Sequence, residues 1–225
     1  MTNILFLHGW GGDEKSFAAV LPFFTSKYKC VCVRMPRENY PVACGATPSR
    51  VKGNIWTLDD FADFVIAELD KLDIKKTHII AHSFGARVAV LLVNRCPERF
   101  GKLILTGPAG IRARLGLWRR TKIKLHKMKI IKSKGSADYR VLSPEGKKTF
   151  QNIVNRDLSA EISRISHPTL LIWGTRDSAI KKSAIKRWTK LAPCAKLVIY
   201  RGCGHFCFLD APARFIVDAE EFLNA

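Results

Sequence analysis

Acidic residues are scarce in this chain: 19 Asp and Glu stand against 38 Lys and Arg, a formal net charge of +19. Also missing is any apolar run near the ~20 residues that a membrane-spanning helix needs. No charged leader precedes the first apolar run at Ile4, so a cytoplasmic address is the expectation. The 15 Gly and 10 Pro among 225 residues are too few for a collagen-like or disordered chain. Seven cysteines (Cys30, Cys32, Cys44, Cys96, Cys194, Cys203 and Cys207) form neither a CxxC pair nor any zinc-type spacing, and read as reduced, mostly buried small apolar residues. What remains is an ordinary globular composition, 47% hydrophobic and 25% charged, long enough for one compact unit with a sizeable core.

The basic excess is local. Residues 1–110 hold 14 basic and 10 acidic residues, 111–168 hold 15 and 4, and 169–225 hold 9 and 5. Between Arg112 and Lys134 lie ten basic residues, no acidic one, no Pro and a single Gly, Gly116. That stretch has the look of an insertion with its own task.

Elsewhere, short β-branched or apolar runs (4–8, 30–34, 77–82, 102–106, 169–173 and 196–200) alternate with amphipathic helical patterns, which predicts a mostly parallel sheet with helices on its faces. The clearest helix follows Thr57, an N-cap with Asp60 three residues on, and carries Leu58, Phe61, Val65, Leu69 and Leu72 at helical spacing. Further helices are expected over 15–24, 84–94, 181–190 and 212–222, and a loop over 40–54.

Three places carry candidate chemistry. The strand 77–82 runs into Ala81-His82-Ser83-Phe84-Gly85 and then a helix, a small-x-Ser-x-small pattern that suits a turn too tight for larger flanking side chains. Such a turn lifts a serine hydroxyl above the sheet edge; the plainer reading of Ser83 is an ordinary helix N-cap. The first strand ends in His8-Gly9-Trp10-Gly11-Gly12, where backbone amides can face a developing oxyanion together with the amide of Phe84. The plainer reading there is a glycine-rich turn with a core Trp, and His8 is read as an orienter of the loop rather than a base. Finally, Gly174-Thr175-Arg176-Asp177 and Gly202-Cys203-Gly204-His205 each follow a predicted strand, where the crevice of an open parallel sheet lies. Asp177 alone would be a turn former and His205 alone a solvated loop residue. Their order after Ser83, nucleophile then acid then base, is that of one fold.

On HGWGG, AHSFG, PTLLIWGTRD and GCGHFCFLDAP the chain resembles the α/β-hydrolase superfamily, over nearly all its length apart from 35–55 and 111–150. It is most similar to the branch of small-lidded esterases and meta-cleavage-product hydrolases, and HGWG is also similar to the carrier-protein-linked methyl ester esterases. The resemblance implies an α/β-hydrolase core over 1–110 and 169–225, with an inserted basic helical lid over 111–168. It implies a catalytic triad of Ser83, Asp177 and His205, an oxyanion hole from the amides of Trp10 and Phe84, and no metal or organic cofactor. The expected activity is hydrolysis of a small-molecule carboxyl ester with a small or medium acyl group. C–C bond hydrolysis, aminopeptidase action, a carrier-linked methyl ester substrate, and an inactive scaffold that binds a polyanion are alternatives. Two departures stand out. The second strand continues into Arg34-Met35-Pro36-Arg37-Glu38-Asn39 instead of Asp-x-x-Gly-x-Gly, and the family's leading antiparallel hairpin is expected to be absent, leaving about six strands.

Ile111, Leu115, Trp118, Leu125 and Met128 share about a third of a helical wheel, so 111–131 is expected to be a basic amphipathic helix. Its charge is read as a solvated outer face, as attraction to an anionic membrane surface, or as a dock for an acidic carrier protein. No nucleic-acid-binding motif accompanies it, so nucleic acid is not the expected partner.

Overall fold

The computed structural model describes residues 2–36, 55–112, 139 and 141–225. The expected loop 40–54, Cys44 and all of the expected helix 111–131 beyond Arg112 lie outside the described residues.

Six strands form one parallel sheet: β1 (Asn3–Leu7), β2 (Lys29–Val33), β3 (Thr77–His82), β4 (Phe100–Thr106), β5 (Thr169–Gly174) and β6 (Ala195–Tyr200), in the spatial order β2-β1-β3-β4-β5-β6. The alternation of side chains sorts each strand between two cores. Leu5, Leu7, Ile79, Ala81, Leu103, Leu105 and Leu171 face one; Ile4, Phe6, Ile80, Ile104, Leu170 and Ile172 face the other. The first core is closed by α2 (Leu58–Lys71), α3 (Phe84–Arg95), α5 (Ser159–Ser163) and α6 (Lys182–Leu191). The second is closed by α1 (Leu21–Thr25), α7 (Cys207–Asp210) and α8 (Pro212–Asn224). The chain leaves β1 over one face and returns to β3 over the other, so winding reverses between β1 and β3. A crevice opens at such a switch point, at the carboxyl ends of the strands.

Between β4 and β5 lie α4 (Pro144–Asn155) and α5. Gly110, with φ of 134°, starts this excursion; the amide of Leu158 donates to the Gly110 carbonyl at 2.9 Å and that of Arg112 to Asp157 Oδ2 at 2.8 Å, so its two ends are tied together.

Thr57 caps α2 as expected, in a reciprocal box with Asp60. The helix expected over 15–24 is instead two pieces. Asp13 caps a 3-10 turn over Glu14–Phe17, and the chain restarts as α1 with Pro22 in its first turn, where the missing N–H breaks no bond. The thiols are less buried than expected: Cys203 and Cys207 are buried, Cys30, Cys32 and Cys96 partly so, and Cys194 is exposed. Among the described residues, no helix is long and apolar enough to cross a membrane.

Candidate active site

Ser83 joins β3 to α3 with φ of 50° and ψ of −104°, a conformation that costs a non-glycine residue on the order of 1–3 kcal/mol. Its side chain makes no capping bond to the helix, so the ordinary N-cap reading does not describe it. The strain is held by its neighbours: the Ser83 amide donates to the Thr106 carbonyl (3.1 Å) and its carbonyl accepts from Ala109 (3.3 Å). Gly85 shows why the motif demands small residues. A Cβ there would run into the carbonyl groups of Leu7 and His8, so α3 could not lie against the end of β1.

The turn after β1 abuts this elbow. A Cβ on Gly9 would sit 2.8 Å from His82 Nδ1 and 3.6 Å from the Ser83 Cβ. Gly11, with φ of 77°, and a bond from the Gly12 amide to the Gly9 carbonyl (3.0 Å) close the turn. Trp10 crosses Phe84 edge-on at 5.5 Å, Phe150 at 5.5 Å and Phe61 at 6.5 Å. Among the described residues, the amides of Trp10 and Phe84 make no hydrogen bond, so two unpaired N–H donors lie at the turn and the elbow. His8 acts as the orienter that its position suggests. It is buried, its Nδ1 faces the Gly9 carbonyl (2.8 Å), and its Nε2 accepts from the Met35 amide (3.0 Å), which tethers the turn to the end of β2.

Asp177 and His205 meet because β5 and β6 are neighbours and because Gly174 lets their loops touch. A Cβ on Gly174 would collide with the carbonyls of Cys203 and Gly204, and the Arg176 amide donates to Cys203 at 2.8 Å. His205 Nδ1 lies 2.8 Å from Asp177 Oδ2, whose side chain is wholly buried. Asp177 Oδ1 accepts from the amides of Ala179 and Ile180, each at 2.8 Å. One oxygen of Asp177 thus closes its own turn and the other meets the His205 ring. Burial alone would raise this carboxyl, but the hydrogen bonds from His205 and the two amides outweigh it and hold the group below the ordinary carboxylate range. An ionised Asp177 oxygen is an acceptor only, so His205 Nδ1–H donates to it and the Nε2 edge of the ring points away from the carboxylate. His205 also lies against the backbone beside Ser83: a Cβ on Gly107 would be 2.9 Å from its Nδ1, next in sequence to the Thr106 that binds Ser83.

One supporting residue escaped the sequence reading. His82, beside the elbow serine, is buried and its Nε2 faces the His205 carbonyl at 3.2 Å. Its ring lies 4.6 Å from that of His205 and 4.7 Å from that of Phe206. Burial and the nearby His205 push its pKa down to about 3, so it is neutral and donates to that carbonyl. The only hint in the sequence was a polar residue at the buried end of an apolar strand. Among the described residues, no group of three or more His, Cys, Asp or Glu is placed to hold a metal ion.

A doubly wound parallel sheet that carries a strained serine at a strand-to-helix elbow, a glycine-rich turn at its switch point and a carboxylate–imidazole pair on its last two strands has the architecture of an α/β-type hydrolase. Residues 4–219 match the model of the alpha/beta hydrolase family, and the chain belongs to that family. It is 34% identical over 109 residues to a strigolactone esterase of Arabidopsis thaliana, a match that covers 47% of this chain. The chain spans only 38% of the length of that protein and of its pea counterpart. A 2-hydroxy-6-oxononadienedioate/2-hydroxy-6-oxononatrienedioate hydrolase of Pseudomonas putida is 25% identical over 244 residues, covering 91% of this chain and 81% of that one. Among solved structures, a meta-cleavage product hydrolase from Pseudomonas fluorescens superimposes with a TM-score of 0.75 at 19% identity, covering 100% of this chain and 91% of the other. Proteins similar to this chain thus include an esterase and hydrolases of meta-cleavage products and of 2-hydroxy-6-oxononadienedioate.

Proposed function

We propose that the chain is a serine hydrolase that cleaves carboxyl esters of small or medium acyl groups through an acyl-enzyme on Ser83. The observation that carries this reading is a strained, uncapped Ser83 whose neighbours His82 and Gly107 lie against His205, itself bonded to the buried Asp177. Ser83 Oγ attacks the ester carbonyl while its proton passes to His205 Nε2, and Asp177 stabilises the imidazolium through Nδ1–H. The amides of Trp10 and Phe84 receive the oxyanion, each contributing on the order of 10²–10³ in rate. The alcohol leaves with the proton held by His205. Water then attacks the acyl-enzyme with His205 again as base and releases the acid.

C–C bond hydrolysis is the second reading, favoured by the near full-length match to the Pseudomonas putida hydrolase. The two are separated by assaying p-nitrophenyl acetate, p-nitrophenyl octanoate and a 2-hydroxy-6-oxo dienoic acid with the wild type and with Ser83→Ala. Turnover of the esters, faster on the shorter chain and lost in the variant, is the expected result. Turnover of the dienoic acid alone would transfer the assignment to C–C cleavage, and ester turnover undiminished in Ser83→Ala would remove the serine mechanism.

A further inference from the structure

Arg87 is 7% exposed, an isolated cation in the otherwise apolar interior of α3, four residues beyond Ser83. A buried guanidinium needs partners. Its Nη1 donates at 2.9 Å to the carbonyl of Ile153 and at 2.9 Å to that of Arg156, at the carboxyl end of α4. A cation suits those carbonyls, which are left over by the helix and carry the negative end of its dipole. Two further bonds fix the same helix: the Trp56 amide donates to Thr149 Oγ1 at 2.9 Å, and Asn152 Nδ2 donates to the Trp56 carbonyl at 3.2 Å. Midway along α4, Phe150 meets the ring of Trp10 edge-on.

From this geometry we infer that Arg87 is a positioning residue that latches α4 to the nucleophile helix, so that Phe150 braces Trp10 and fixes the amide that receives the oxyanion. The inference rests on the hydrolase reading above. On this account α4 is a fixed wall of the site. Arg87 touches neither substrate nor reacting atoms; it acts through α4 and Phe150. A displacement of about 1 Å in an oxyanion donor is enough to cost up to about 100-fold in rate.

The test compares Arg87→Met, Arg87→Lys, Phe150→Ala and the Arg87→Met/Phe150→Ala double variant on p-nitrophenyl acetate, with inhibition by a trifluoromethyl ketone as a second readout. Expected are a fall in kcat between about 10- and 100-fold in Arg87→Met and in Phe150→Ala, with KM within about threefold of wild type. Inhibition by the ketone, whose hemiketal oxyanion needs the same amides, should weaken by a matching factor. One nitrogen makes both bonds, so Arg87→Lys should recover most of the rate, and the double variant should lose little more than the worse single one. A folded Arg87→Met with wild-type kcat, or additive losses in the double variant, would overturn the latch. If Arg87→Met does not fold, Phe150→Ala decides alone: unchanged kcat and unchanged ketone inhibition refute the brace. A wild-type protein inert to both ester and ketone would instead refute the hydrolase reading, and the latch with it.

Discussion

Ser83 and Asp73 are the only non-glycine residues with positive φ among the described residues, and they differ in kind. Asp73 lies in an exposed turn after α2, whereas Ser83 is held in its conformation from both sides by Thr106 and Ala109. Strain retained at one residue is a trade of stability for a presented hydroxyl. Ser83→Gly should therefore abolish ester hydrolysis while raising the melting temperature by about 2–4 °C, the equivalent of about 1 kcal/mol for a domain of this size. A thermal melt showing a fall would contradict the strain argument. His82 gives the pH prediction. Its folded pKa, depressed to about 3, lies below the ordinary histidine value of about 6.5. The unfolded chain therefore takes up a proton first, and the stability contributed by neutral His82 is full above about pH 6.5 and drains away as pH falls toward 3. Asp177, also depressed, loses its contribution in the same direction, but only as pH falls below the ordinary aspartate value of about 3.9. Denaturant midpoints measured from pH 7 to pH 4 should fall, and less steeply in His82→Gln. Ser83, Asp177 and His205 were legible as candidates because each follows a strand and together they stand in the order that one fold uses. It was silent on His82 and Arg87, whose roles come from contacts with residues far along the chain, His205 and Ile153 among them.

At the scale of elements, close backbone approaches do more than propensity. Gly174 lets the loop after β5 touch the loop after β6, and a methyl group there meets carbonyls that cannot swing away. Gly174→Ala should lower stability by about 1–3 kcal/mol, the usual cost of forcing atoms into filled space. Because the same shift parts Asp177 from His205, kcat should fall by more than the lost folded fraction explains; a loss of stability with kcat per folded molecule unchanged would show that the two loops need not touch. The strands were legible to within two residues, because β-branched runs bounded by turn residues leave little freedom. The 15–24 segment was not, since its apolar spacing fits a helix while Asp13 and Pro22 each impose a local start. The close approaches at Gly85, Gly107 and Gly174 could be read only as small residues, because what they approach is set by the order of strands in the sheet.

The molecule as a whole carries +19, and Asp177, its side chain wholly buried against a half-buried His205, is shielded from most of the screening that salt imposes on surface charge. For a neutral ester, kcat/KM should change by less than about twofold between 0.05 and 0.5 M salt. For an ester bearing a carboxylate it should fall several-fold, because a net positive protein steers anions and loses that advantage when screened. Equal salt dependence for both substrates would mean that the charge plays no part in substrate capture.

The central claim is that Ser83 is the nucleophile, and the most direct test is to treat the protein with a fluorophosphonate, measure its intact mass and map the adduct by peptide mass spectrometry. The account predicts one adduct per chain, on Ser83, absent from Ser83→Ala and strongly slowed in His205→Ala. An adduct on any other residue, or undiminished labelling of Ser83→Ala, would contradict it.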